Sequence, residues 1–427
     1  MFGQRGQKKG VSLVFYLVGV ESTVFIYNCR INYLLYLTMK KIRISLLARI
    51  VIAILLGIGA GQFLPQWVVR LSATFNGLFS EFLGFMIPLI IVGLVTMAIA
   101  DIGNRAGRML IATVCIAYGS TLFAGFLSYF TGTTFFPSLI TPGVKLQEVS
   151  ETVGVSPYFS VAIPPLMNVM TALILAFVLG LGLAHLQRDA LKQVAADFQE
   201  IIVRTISKAI IPLLPIYIFG IFFNMTHTGQ VASILLVFIK IIGVIFALHV
   251  FVLLLQYTVA GLLTGKNPLK LLQRMLPAYF TALGTQSSAA TIPVTLEQAK
   301  KNGVRADIAG FVIPLCATIH LSGSTLKITA CALALMMMQG LPYDLGMFSG
   351  FILMLGVTMV AAPGVPGGAI MASLGVLQSM LGFGEEEQAL MIALYIAMDS
   401  FGTACNVTGD GAIALVVDKL ARRKQRE

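Results

Sequence analysis

Asp399-Ser-Phe-Gly-Thr-Ala-Cys-Asn-Val-Thr-Gly-Asp410 lies inside an otherwise apolar run from Glu387 to Val417. That run is long enough to cross a bilayer, and the sequence predicts one helix over it. At about 100° per residue, Asp399, Thr403, Asn406 and Asp410 fall at i, i+4, i+7 and i+11, on one face. The two carboxylates are then roughly 16 Å apart along the axis. A carboxylate at membrane depth costs at least a few kcal/mol, so this face is expected to look onto a cavity, a partner or an ion. Such a face is the mark of a transport site.

The rest of the composition agrees. The 427 residues are 57% hydrophobic and 11% charged, with a mean hydropathy of +0.90. Soluble domains carry about 25% charged residues, so a soluble protein is excluded and an all-α polytopic membrane protein is predicted. The formal charge of +11 does not point to nucleic acid. The basic residues sit in short segments between apolar runs, as the positive-inside rule distributes them. Cys29, Cys115, Cys316, Cys331 and Cys405 show no metal spacing and read as small packing residues.

Residues 1–38 mix a basic start (Arg5, Lys8, Lys9) with an apolar stretch broken by Glu21, Asn28 and Arg30. They read either as a signal-like or extra membrane segment or as an extension ahead of the native start at Met39-Lys-Lys-Ile-Arg43, and the second reading is preferred. Spans are predicted at about 45–64, 75–100, 109–129, 164–185, 201–223 and 234–263. The turns at Asp101–Arg108 and Arg188–Lys192 are richer in Lys and Arg than those on the other side. This predicts cytoplasmic N- and C-termini in an inner membrane.

After Leu263 the pattern changes. Residues 269–295 and 345–381 have apolar arms around Gly284-Thr-Gln-Ser-Ser-Ala-Ala-Thr-Ile-Pro293 and Ala361-Ala-Pro-Gly-Val-Pro-Gly-Gly368. Such backbone cannot face lipid, because its N–H and C=O groups would be unsatisfied. Two re-entrant helical hairpins entering from opposite sides are predicted. Each is followed by a polar-interrupted helix, at 308–339 and 387–420. The two units form an inverted repeat, which puts a binding site near the midplane.

At these residues the chain resembles the dicarboxylate/amino acid:cation symporter family, which includes glutamate transporters. The motifs are Ser287-Ser288 with Thr291-Ile-Pro293, Gly364-Val-Pro-Gly367, and Asn406-Val-Thr-Gly-Asp410. The resemblance covers Met39 to the end, strongest from Thr285 on. It implies about eight spans plus the two hairpins, a homotrimer, and an elevator-type core gated by the second hairpin. Residues 39–263 would be mostly trimerisation scaffold, with the third and sixth spans joining residues 264–427 in the transport core.

Carried over by position, the resemblance puts substrate contacts at Ser288, Ser324, Val365, Gly368, Asp399, Thr403 and Asn406. Gln286, Ser287, Pro366, Gly367 and Gly402 complete the predicted substrate-binding set. Asp399 would hold a substrate ammonium. Asp410 and the carbonyls of Asn406 and Cys316 would hold one sodium ion. Carbonyls of Thr318 and around Met359, Val360 and Ala362 would hold another.

Three departures qualify this. The broken helix reads His320-Leu-Ser-Gly-Ser324 where the family usually has Asn-Met-Asp-Gly-Thr, and a hard cation prefers oxygen to imidazole nitrogen. One sodium site is therefore predicted to be missing, with the Asp410 site altered and His320 a candidate proton carrier. On the third span Leu122 stands in place of a hydroxyl, although Tyr118 and Thr121 remain. Gly402 and Gln286 stand where arginines serve acidic substrates, leaving Lys327 as the spare cation, able to reach the site or to snorkel elsewhere. The sequence thus predicts cation-coupled symport of a small amino acid, neutral rather than acidic, driven by Na+ and/or H+. The alternatives are a C4-dicarboxylate or acidic amino-acid symporter using Lys327, and an ion channel. No nucleophile–base pair or metal cluster suggests an enzyme.

Overall fold

The computed structural model describes residues 46–104, 108–140, 156–186, 189–227, 229, 231–362, 364 and 366–424. The predicted N-terminal extension and Val365 lie outside them. All regular structure among these residues is helical. Among the described residues six helices are long and apolar enough to cross a membrane, or seven if one bent pair counts as a single span. Thr171–His185, expected as a further span, is apolar but shorter.

The first half comprises α1 (Leu46–Phe63), α2 (Gln66–Asn104), α3 (Arg108–Leu139), α4 (Val169–His185), α5 (Asp189–Thr205), α6 (Ile211–His227) and α7 (Val231–Thr264). Helix α1 packs on α6, and α2 on α4. Gly57 and Gly61 let α1 approach α6 closely: a Cβ at Gly57 would meet the Phe219 carbonyl at 2.7 Å. Several helices run past their predicted ends. Helix α3 carries Pro137 within it, and α5 starts at Asp189, continuing through a π turn at Ile206–Ile210 into α6.

The second half begins with the first hairpin, α8 (Pro268–Thr285) and α9 (Ser288–Lys301). Asn267 caps α8 by accepting from the Leu269 and Lys270 amides, with Pro268 at the first helical position. Then come α10 (Ala306–Ile319) and α11 (Ser322–Gln339), separated by a break at His320-Leu321. The second hairpin is α12 (Leu345–Val360) and α13 (Gly368–Leu381). In each hairpin the two arms pack on each other.

The closing run is not one helix. Helix α14 (Glu385–Ala397) and α15 (Asp399–Lys424) meet at Met398 with a bend of 62°. No Gly or Pro marks the break. Its carbonyls find a partner in the Lys327 ammonium, within 3.5 Å of Tyr395 O and Met398 O. The break also makes Asp399 the first residue of α15, where a carboxylate suits the positive helix end.

Helix α15 is the centre of this half, packed by α3, α7, α8, α9, α10, α11 and α14. Its polar face therefore meets protein rather than lipid, which is what makes that face tolerable in a membrane. At its far end Asp418 accepts from Arg305 and Arg422, each at 2.8 Å, and Arg422 also donates to Gly303 O.

Candidate functional site

The four positions predicted to share one face all lie within α15, so the bend at Met398 leaves their spacing intact. Asp399, Thr403, Asn406 and Asp410 are all buried. They serve two centres, one at each end of the face.

The first centre joins both hairpin tips to Asp399. Thr285 ends α8 and Gln286 follows in the left-handed region at φ 53, which turns the chain into α9. The Gln286 amide donates to Ser400 Oγ at 2.9 Å, beside Asp399. Ser287 caps α9 by accepting from the Ala290 amide, and its hydroxyl donates to Gly364 O at 2.9 Å. The two tips thus touch. At the second tip, Pro366 leads into Gly367 at φ 75, a conformation that suits glycine. The Gly367 amide donates to Asp399 Oδ2 at 2.8 Å, so α13 aims its positive end at this carboxylate. Gly368 is the first residue of α13 and is buried.

The other oxygen of Asp399 is held by Lys327. Its Nζ lies 3.1 Å from Oδ1 and 3.4 Å from the centroid of the Tyr395 ring. Lys327 has no exposed surface. Gly402 underlies it: a Cβ there would meet Lys327 Nζ at 2.7 Å. Lys327 therefore reaches the site from behind Asp399 rather than snorkelling.

Between these groups is a cavity of about 20 Å³, lined by Gln286, Ser288, Ser324, Tyr395, Asp399, Thr403 and Asn406 together with small apolar residues. That is room for about one water. An amino acid enters only if the tips part. A second cavity of about 540 Å³ reaches the same tips and shares Ala362 and Gly364 with the first. It runs past Thr318 and Val360 toward Leu110, Gln199 and Phe311. Thr318, Val360 and Ala362, from the predicted carbonyl-rich cation site, thus border one cavity, while Met359 is buried behind them.

Asn406 joins the two centres. Its Oδ1 accepts from the Gly323 amide at 2.8 Å, capping the start of α11, and its Nδ2 donates to Ser324 Oγ at 3.1 Å. Ser324 Oγ in turn lies 3.0 Å from the Tyr395 hydroxyl. Gly323 is needed here, since its Cβ would meet Gly402 O at 2.7 Å.

In the second centre, His320 Nδ1 donates to Asp410 Oδ1 at 2.9 Å, with both side chains buried. Gln256 Nε2 donates to Ser120 Oγ at 2.9 Å, and Ser120 Oγ lies 3.1 Å from His320 Nε2. With the ring proton on Nδ1, every donor in this chain has an acceptor. Cys316 O already accepts the His320 amide at 2.9 Å. Ser120 and Gln256 are not among the residues the sequence singles out, although Tyr118 and Thr121, neighbours of Ser120, are. The available signal is a glutamine within the apolar α7. Tyr118 instead donates to Leu353 O on the second hairpin, and the buried Thr121 hydroxyl has no partner among the described residues.

Residues 46–420 match the sodium:dicarboxylate symporter family. The chain is 30% identical over 400 residues to the serine/threonine transporter SstT of Acinetobacter baumannii strain SDF. It is 29% identical over 400 residues to the transporter of the same name from Acinetobacter baumannii strain AYE. Each match covers 89% of this chain and 98% of the relative. With nearly all its described residues inside the family match, the chain belongs to the sodium:dicarboxylate symporter family.

Proposed function

We propose that the protein is a secondary active transporter importing a small neutral amino acid, of the serine and threonine class, together with a cation. The observation that carries this is the charge of the first centre. Asp399 is matched by Lys327, and among the described residues no Lys, Arg or His lines the small cavity. An amino acid brings an ammonium and a carboxylate of its own and leaves that balance unchanged. An acidic substrate adds a second carboxylate, and a buried carboxylate without a partner is strongly unfavourable. The names of the serine/threonine relatives agree with this reading.

In this reading the ammonium goes to Asp399. Ser288, Ser324, Thr403 and the backbone around Gly367 and Gly368 complete the contacts, with Val365 adjacent. The cation goes to Asp410, which among the described residues has a histidine but no Lys or Arg paired with it. Sodium is the coupling ion by family. The second centre differs from an all-oxygen site by His320, so a proton gradient is the competing driver. Carbonyls of Cys316, Thr318 and Met359–Ala362 would supply further oxygen ligands. Residues 264–427 with α3 and α7 form the moving core of a homotrimeric elevator in the inner membrane, and the rest is scaffold. The larger cavity reaches the hairpin tips and is lined by Leu110, close to the start of α3 at Arg108. In this reading it opens to the cytoplasm, the side on which the positive-inside rule expects basic residues.

Uptake into proteoliposomes tests this, with serine, threonine, alanine, aspartate and succinate under separate sodium and proton gradients. Serine or threonine uptake driven by sodium supports the proposal. Aspartate or succinate outcompeting serine would support the dicarboxylate reading that the family's description favours. Conductance without coupled uptake would make the protein a channel.

A further inference from the structure

We propose that Lys327 is a built-in counter-ion of Asp399 that sets the net charge of the ligand this site accepts, and that Gly402 makes the room it occupies. The inference rests on Asp399 being the ammonium site of the proposed transporter, and deepens that reading.

The lysine stem lies in the volume a side chain at position 402 would fill. A Cβ there would meet Nζ at 2.7 Å, Cε at 2.9 Å and Cδ at 3.3 Å. An ammonium has three N–H groups. Three oxygens surround this one: Asp399 Oδ1 at 3.1 Å, Met398 O at 3.4 Å and Tyr395 O at 3.5 Å. The Tyr395 ring covers it further. Asp399 lines the small cavity and Lys327 stands behind it, outside that lining. What reaches the cavity is its charge. At an effective dielectric of about 20 and a separation of about 6 Å, a unit charge changes the affinity of a charged ligand roughly 100-fold. With Lys327 in place the pair is neutral and a zwitterion is favoured. Without it the site holds one negative charge and favours a ligand with an extra positive one.

The competing role is structural. Lys327 also satisfies the carbonyls at the end of α14, and a residue that did only this would affect stability and not ligand charge. Two ligands of similar length separate the roles. Homoserine is a zwitterion, and 2,4-diaminobutyrate carries a further charged amine at neutral pH. The ratio of their dissociation constants is measured on the full-length protein by calorimetry.

Lys327→Met is expected to move the ratio at least about tenfold toward diaminobutyrate, and Lys327→Met/Gly402→Lys, which returns the charge from α15, to move it back. A ratio in folded Lys327→Met within about twofold of the original overturns the proposal. Should Lys327→Met fail to fold, Gly402→Ala decides. It keeps every charged group but pushes Nζ away from Asp399, and is expected to move the ratio about threefold in the same direction. An unchanged ratio there also overturns the proposal. If the unaltered protein binds no neutral amino acid, the functional reading fails separately. The pair aspartate and succinate, which differ by one ammonium, then reads the same charge preference.

Discussion

The hydroxyl of Ser287 donates to the carbonyl oxygen of Gly364 across 2.9 Å, so one side-chain hydrogen bond joins the tips of the two hairpins. The same hydroxyl caps α9 through the Ala290 amide. Ser287→Ala removes both interactions, each worth about 1 kcal/mol. Amide hydrogen exchange at Gly367 and Gly368 is expected to accelerate about fivefold, because a tip held less firmly opens more often. Unchanged exchange would mean that the contact does not hold the tips together.

The ion pair in the first centre predicts a strong asymmetry between single and double variants. Asp399→Asn leaves the Lys327 ammonium buried without its counter-charge, at a cost of about 3–5 kcal/mol. Asp399→Asn/Lys327→Met removes both charges and is expected to regain most of the thermal stability while still failing to bind substrate. A double-mutant cycle by thermal unfolding checks this. Additive losses would show that the two groups do not depend on each other.

A third prediction concerns two glycines that look alike in the sequence. At Gly323 a Cβ meets backbone, Gly402 O at 2.7 Å, and Cys405 Cβ at 2.8 Å, so Gly323→Ala must push α11 away from α15. A loss of about 1–3 kcal/mol is expected. At Gly310 a Cβ meets nothing within 4 Å. Gly310→Ala is expected to stabilise α10 by about 0.5–1 kcal/mol. Melting temperatures that moved together would contradict the packing described for α11.

The contact between His320 and Asp410 bears on sodium. His320→Asn removes the imidazole donor from Asp410 Oδ1 and brings an amide oxygen to the helix break. Sodium prefers oxygen ligands, so half-maximal serine uptake is expected at a roughly three- to tenfold lower sodium concentration. A rise in that concentration would show that the histidine assists the cation rather than displacing it.

The face formed by Asp399, Thr403, Asn406 and Asp410 is legible in the sequence, because helical spacing needs only that all four lie in one helix. The hairpin tips are legible too, since serine, proline and glycine clusters inside apolar segments interrupt the helix that a simple span requires. The bend at Met398 is not. An apolar residue between two helical stretches carries no local signal, and the group that accommodates the break, Lys327, is far away in sequence. Gly402 is half legible. Alone it reads as an arginine lost, and only the packing reveals that another cation fills its volume. Ser120 and Gln256 are illegible because a single serine or glutamine in a span is ordinary until a buried histidine is placed against it.

The pairing of Lys327 with Asp399 has an electrical consequence. A charge carried across a membrane is worked on by the transmembrane potential, at about 2.3 kcal/mol per unit charge for 100 mV. Two opposite charges fixed to the same moving body do nearly cancelling work. If the core shuttles as proposed, this pair adds almost nothing to the voltage dependence of its movement. The potential then acts chiefly on the Asp410 centre and on the cation bound there. With its cation bound the Asp410 centre is neutral, so the loaded core crosses the field nearly unfelt. The voltage acts chiefly on the empty core, whose Asp410 carboxylate an inside-negative potential drives outward.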